Sequence, residues 1–164
     1  MNADVATAPS VLRRIATLPY EGLLLLALLL IASFPFAGLK GALQSGTPHW
    51  AFQVYLFCVT ASYFVWLWHH GGQTLPMKTW LIRVVSSDGK PLSVARAFAR
   101  FICSLFFYGP ACIGLVLLCF PSRISPAITV WAFLPMMATI LWARFDPDRQ
   151  FLHDRIANTR LISA

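Results

Sequence analysis

The sequence predicts an all-α membrane protein: a four-helix transmembrane bundle with a small cytoplasmic element, built from one loop and the tail and joined by a short β pairing. Three observations predict it. Four long apolar stretches run at about residues 18–39, 50–69, 101–120 and 126–143. Each is near the ~20 residues that a helix needs to cross a ~30 Å hydrocarbon core. Hydrophobic residues make up 58% of the chain and charged residues 12%, too apolar for an ordinary soluble domain. The charges lie between the stretches, on one alternating side. The stretches lack the alternation of a barrel strand, so helices are expected.

The 164 residues leave room for one domain, 1–164, and no second soluble unit. The net charge of +7 is read as orientation rather than nucleic-acid binding, because no basic patch with interleaved aromatics stands outside the spans. Arg13 and Arg14 precede the first span. Lys78, Arg83, Lys90, Arg96 and Arg100 fill the second connection, 70–100, and Arg144, Arg149, Arg155 and Arg160 the tail, 144–164. Only Lys40 and Arg123 lie on the other side. The positive-inside rule then puts both termini in the cytoplasm of a bacterial-type inner membrane. Trp50, Trp66, Trp68, Trp80 and Trp142 are expected as an interfacial belt. The first span is too long for a signal-peptide core and carries Glu21, so it is expected to stay.

Element by element, Ser10 can cap the first helix, which carries Arg13 and Arg14 into the interface. The outer loop, 40–49, is rich in Gly, Ser and Pro. Gly71-Gly72 ends the second span. The β-branched run Trp80–Val85, followed by Ser87-Asp88-Gly89-Lys90, predicts a strand and a tight turn. Ser93 can cap a helix bearing Arg96 and Arg100 on one face, which continues into the third span and bends at Gly109-Pro110. An outer hairpin, 121–126, leads into a fourth span that contains Pro135. The final run Arg160-Leu161-Ile162 resembles Ile82-Arg83-Val84-Val85, so the two are expected to pair as strands.

Several polar residues stand out. Glu21 is a carboxylate in a spanning segment, where charge is costly and marks a pairing or functional site. Topology brings His69, His70, Arg100 and Arg144 to its leaflet, and the expected partner is one of these or Arg14. His69-His70 can relay protons, but more simply faces the interface. His153-Asp154 is expected as a structural clasp between tail and loop, not a metal pair, since only four histidines exist. Cys58, Cys103, Cys112 and Cys119 all lie in spans without a Cys-x-x-Cys pair, so no disulfide or metal framework is implied. No Gly-x-Ser-x-Gly, His-Glu-x-x-His, phosphate loop or dinucleotide fingerprint occurs, so neither an enzyme nor a cofactor is expected.

The chain resembles the RDD family of membrane proteins, named for one arginine and two aspartates. Arg14 matches the arginine opening the first helix. Glu21 matches the first acid, as Glu in place of the usual Asp. Gly72-Gln73-Thr74-Leu75 is similar to the family's inter-helix segment, though Pro76-Met77-Lys78 departs from the usual continuation. Ile82-Arg83-Val84-Val85 and Asp88-Gly89-Lys90-Pro91 also match. The closing signature resembles Leu152-His153-Asp154-Arg155-Ile156-Ala157-Asn158-Thr159-Arg160, with Asn158 where Gly is common and Asp154 as the second aspartate. The resemblance implies Arg14, Glu21 and Asp154 as signature residues. His69, His70, Gln73, Arg83, Arg96, Arg100, His153 and Arg155 form a supporting polar set. It implies a fold more firmly than an activity, with transport, including cation–proton exchange, proposed for some members.

Two functions are therefore expected. One is a small-solute or cation/proton transporter or transport accessory using the Glu21 cluster. The other is a non-transporting scaffold acting through loop and tail. Partners are the lipid bilayer and a second copy or another membrane protein, since four helices hardly enclose a path alone.

Overall fold

A computed structural model of the chain describes residues 8–38, 49–119 and 126–164. The outer loop at 40–49, but for His49, and the outer hairpin at 121–126, but for Pro126, fall outside them. Helix α1, Val11–Gly38, begins where the Ser10 hydroxyl accepts the Arg13 N–H at 3.3 Å. It starts well before the apolar run, so Arg13, Arg14 and Glu21 share one helix. Helix α2, His49–His70, ends at Gly71-Gly72, whose N–H groups donate to the carbonyls of Leu67 and Trp68. Helix α3, Leu75–Thr79, is capped by Thr74, whose hydroxyl accepts the Met77 N–H, and has Pro76 in its first turn. Strand β1, Ile82–Ser86, leads into the predicted turn, with Gly89 at φ +76° and the Gly89 N–H donating to the Ser86 carbonyl at 2.8 Å. Ser93 caps α4, Val94–Cys119, by accepting the Arg96 N–H at 3.3 Å.

The last apolar stretch is broken. Helix α5, Pro126–Trp131, stops, and α6, Leu134–Phe145, starts after a short turn at Ala132 and Phe133. Pro135 has no N–H to continue the ladder from the preceding turn, and it sits in the first turn of α6, where that missing donor costs nothing. Among the described residues three segments are long and apolar enough to cross a membrane: Val11–Phe36, Trp50–Thr79 and Val94–Cys119. The expected count of four is thus not reached by unbroken helices. The tail adds α7, Leu152–Ile156, and β2, Thr159–Ser163. Asn158 before it sits at φ +50°, a position that Gly or Asn tolerates.

The predicted strand pairing is present and antiparallel, with Ile82 opposite Ser163, Val84 opposite Leu161 and Ser86 opposite Thr159. Both outer edges are occupied. On β1, Gly72 accepts the Val84 N–H at 2.7 Å, and the Gln73 amide donates to the Ile82 carbonyl at 2.8 Å. On β2, the Gln150 side chain stands in for a strand. It accepts the Leu161 N–H at 2.8 Å and donates to the Leu161 carbonyl at 3.2 Å.

Helix α4 is central, packing against α2, α5, α6 and α7, while α1 packs on α2 and α3. The core lies at one end of the bundle, where Trp68, Met77, Ile82, Val84, Leu92, Ala97, Phe101 and Leu161 meet. Trp68 belongs to this core and not to an interfacial belt; Trp50, Trp66 and Trp142 are exposed. Along the spans, apolar side chains such as Leu23, Leu30, Ile31, Phe106 and Ile113 face outward, as lipid contact requires.

Gly72 holds this junction. Its φ is +68°, and a Cβ there would lie 2.6 Å from the Val84 carbonyl oxygen. Gly72→Ala is expected to cost at least about 2 kcal/mol, from left-handed strain and loss of the β1 edge bond. Gly71→Ala, where the nearest atom is 3.8 Å away, should be close to neutral. Thermal unfolding of the two purified variants checks this; equal midpoints would refute it.

Candidate functional site

Two separate polar clusters emerge, and Arg14 and Arg100, which the sequence offered to Glu21, belong to the other one. The first joins the start of α4 to the tail. Asp154 is fully buried in the first turn of α7. Its Oδ1 accepts from Arg100 Nη1 and lies 3.3 Å from His153 Nε2. The same Arg100 nitrogen donates to Thr159 Oγ1 at 2.8 Å, and the guanidinium covers the Trp68 ring at 5.0 Å. Burial alone would raise the Asp154 carboxyl, but the charge and hydrogen bond of Arg100, with the Arg14 charge behind them, hold it below its ordinary range. Arg14 approaches from α1. It donates to the Arg149 carbonyl at 2.6 Å and lies over the Phe151 ring at 5.1 Å.

His153 is neutral in this setting. Burial pushes its imidazole down to about 4, against the pull of the Asp154 charge. Thr139 Oγ1 accepts the Leu152 N–H at 3.0 Å and lies 3.2 Å from His153 Nδ1. A neutral ring with its proton on Nε2 facing Asp154 leaves Nδ1 to accept the Thr139 hydroxyl. His153-Asp154 is thus a clasp that joins α4, α6 and the tail.

The second cluster surrounds Glu21. Tyr63 Oη donates to Glu21 Oε1 at 3.0 Å, and Thr74 Oγ1 donates to Oε2 at 2.6 Å. The expected partners, Arg14, His69, His70, Arg100 and Arg144, do not reach it. No cation pairs with Glu21 among the described residues. Tyr63 and Thr74 escaped the sequence reading because hydroxyl residues are common in helices. The one available signal for Thr74 was its capping position before Leu75-Pro76.

The other sequence-selected residues have local tasks. His69 Nδ1 lies 2.7 Å from the Leu92 carbonyl. His70 stacks on Trp66 at 3.8 Å between centroids and bonds to the Trp66 carbonyl within its own helix. Gln73 closes the β1 edge. Arg83 is exposed on the outer face of the strand pair, as is Arg160. Arg96 reaches Ser86 Oγ and, at 3.4 Å, Asp88. Arg155 bridges Asp146 at 2.8 Å and Asp148 at 2.7 Å, while Asp146 Oδ2 accepts the Gln150 N–H. No group of three or more His, Cys, Asp or Glu residues able to hold a metal occurs among the described residues.

Acidification should weaken the clasp. The folded His153 titrates near 4 and an unstructured histidine near 6.5, so between these values only the unfolded chain takes up the proton. Stability therefore falls as pH falls, by about 2 kcal/mol between pH 6.5 and 5. Asp154, held below its ordinary range, contributes its loss only at lower pH. Thermal midpoints from pH 7 to 5 should drop for the native chain and stay flatter for His153→Gln; parallel curves would rule the clasp out.

Comparison with known proteins agrees with these features. A family model described as the RDD family matches residues 8–158, nearly the whole chain. Neither a curated protein nor a solved structure matches it. The matched region runs from before Arg14 and Glu21 to beyond Asp154, taking in three apolar helices, and the chain is thus a membrane protein that belongs to the RDD family.

Proposed function

We propose that this protein is a multi-pass carrier, or transport accessory, in which Glu21 takes up and releases a proton or a small monovalent cation. One observation carries the reading. Glu21 lies within a spanning helix, and its carboxylate is held by two neutral hydroxyls with no countercharge among the described residues. A structural carboxylate at that depth is stabilised by a cation. One left to hydroxyl donors can change charge, and its four oxygens form a hard, oxygen-only environment suited to a proton or an alkali cation.

In this reading the broken pair α5–α6 makes a fourth crossing. Its 20 residues from Pro126 to Phe145 give about 30 Å of helical rise if the break is small. Both termini then lie in the cytoplasm of an inner membrane, with the strand pair and clasp as a cytoplasmic layer. The bundle covers little of its own helices, so a path past Glu21 forms between copies of the chain or with a partner membrane protein. The chain is no enzyme, carries no cofactor and binds no nucleic acid.

Cysteine labelling in intact cells tests the topology. Cysteines at Ser45 and Ser122 should react with an impermeant reagent from outside, and one at Ser87 only after lysis. Labelling of Ser45 from inside would overturn the orientation.

Flux in proteoliposomes tests the activity. With a pH gradient and sodium, potassium or lithium inside, Glu21→Gln should abolish flux while leaving the thermal midpoint near that of the native chain. Glu21→Asp should keep part of it. The scaffold reading has one observation in its favour, the exposed Arg83 and Arg160 on the outer face of the strand pair. Absence of flux, with co-purification of a membrane partner lost in Arg83→Glu/Arg160→Glu, would establish that reading instead.

A further inference from the structure

The Glu21 hydroxyl partner on the loop side also has a second task. Thr74 is fully buried. Its hydroxyl has one proton and two lone pairs. The proton goes to Glu21 Oε2 at 2.6 Å, and a lone pair caps α3 by accepting the Met77 N–H at 3.4 Å. A hydroxyl that donates to an anion becomes a better acceptor, so the charge on Glu21 strengthens the cap.

We infer that Thr74 transmits the charge state of Glu21 to the loop–tail layer, loosening α3 and β1 when the carboxylate is neutralised. This rests on the reading of Glu21 as a group that changes charge. A proton on Oε2 turns the acid into a donor, and a bound cation seeks the Thr74 oxygen as a ligand. Either ends the donation to an anion that makes the Thr74 oxygen a stronger acceptor for Met77. The cap matters beyond α3. Met77 is buried in the core between α2, β1 and α4. Gln73 and Gly72, just before Thr74, hold the outer edge of β1. After α3, the Trp80 carbonyl accepts from Arg13 on α1. The segment 72–80 is therefore one continuous brace under the strand pair, and among the described residues its hydrogen bond to the membrane carboxylate comes from the Thr74 hydroxyl.

Few groups compete for this role. Helix α1 packs on α2 and α3. Among the described residues of α2, Tyr63 bonds to Glu21, while His69 and His70 bond to the Leu92 and Trp66 carbonyls. From α3 the ionisable residue is Lys78, which is exposed. On α1 itself, Arg13 and Arg14 bond to the carbonyls of Trp80 and Arg149.

Amide hydrogen exchange on the full chain in lipid nanodiscs tests the coupling. Glu21→Gln places an amide donor where the acid would carry its proton. It should speed exchange across 75–86 about three- to ten-fold, the range that loss of one capping bond produces. Exchange in α4 over 102–115 should stay unchanged. Thr74→Val should speed the same segment, and adding Glu21→Gln to it should change nothing more. Thr74→Ser should behave as the native chain. Native exchange over 75–86 in Glu21→Gln, an equal acceleration by Glu21→Gln in the Thr74→Val background, or acceleration that extends through α4 would each overturn the coupling. Loss of flux in Glu21→Gln with unchanged exchange defeats the coupling and leaves the carrier reading standing. Faster exchange over 75–86 in a protein whose native form carries no flux does the reverse.

Discussion

The buried pair of Arg100 and Asp154 is the constraint on which the rest of the architecture depends. It joins residues 54 positions apart, at the head of α4 and in the first turn of α7. Neither charge tolerates burial alone. Removing one member of such a pair costs about 3–5 kcal/mol, because the other is left uncompensated. The tail is thereby obliged to return to the bundle. The pair also gathers its surroundings: Trp68 of α2 covers the guanidinium, Thr159 of β2 accepts from it, and His153 approaches the carboxylate. A two-stranded sheet is marginal by itself. Anchored at Asp154 on one side and at Gly72 on the other, it becomes a fixed layer.

This layer is also what organises the membrane helices. Lipid tails are as apolar as leucine, so spanning helices gain nothing by mere burial and rely on packing and polar contacts. The side chains of α1, α2 and α4 mostly face outward, whereas the end of the bundle is densely packed. Helix α1 enters both polar clusters, Arg14 toward the tail and Glu21 toward Tyr63 and Thr74. It is held by directed bonds at two depths, one cationic and one anionic, and the opposite charges on one helix never meet.

Local features and the strand pairing were legible in the sequence, and the long-range side-chain partners were not. Ser10 and Ser93 cap the helices they precede, Gly71-Gly72 ends α2, and the turn falls at Ser87–Lys90. Each is set by the backbone chemistry of a few adjacent residues. The pairing of Ile82–Ser86 with Thr159–Ser163 was readable because both runs place Arg among β-formers. Arg100 was visible at the head of the third span and Asp154 as part of a clasp between tail and loop, but which charges would pair was decided only by the fold. Glu21 misled for the opposite reason. The sequence offered cations at its depth, but its partners lie 42 and 53 residues further on and are plain hydroxyls. The break at Phe133 was underestimated because hydropathy does not register the missing N–H of Pro135. Gln150, a polar side chain standing in for backbone, has no pattern at all.

The two glutamines that line the strand pair have a consequence for life in a bilayer. Confinement to a plane raises the encounter rate between identical copies, and an unprotected strand is an invitation to runaway stacking. Here Gln73 and Gln150 act as chain terminators, presenting amide groups already spent on Ile82 and Leu161. The strand pair of one copy is thereby kept from templating that of the next. Any association of copies is thus steered away from the strand edges.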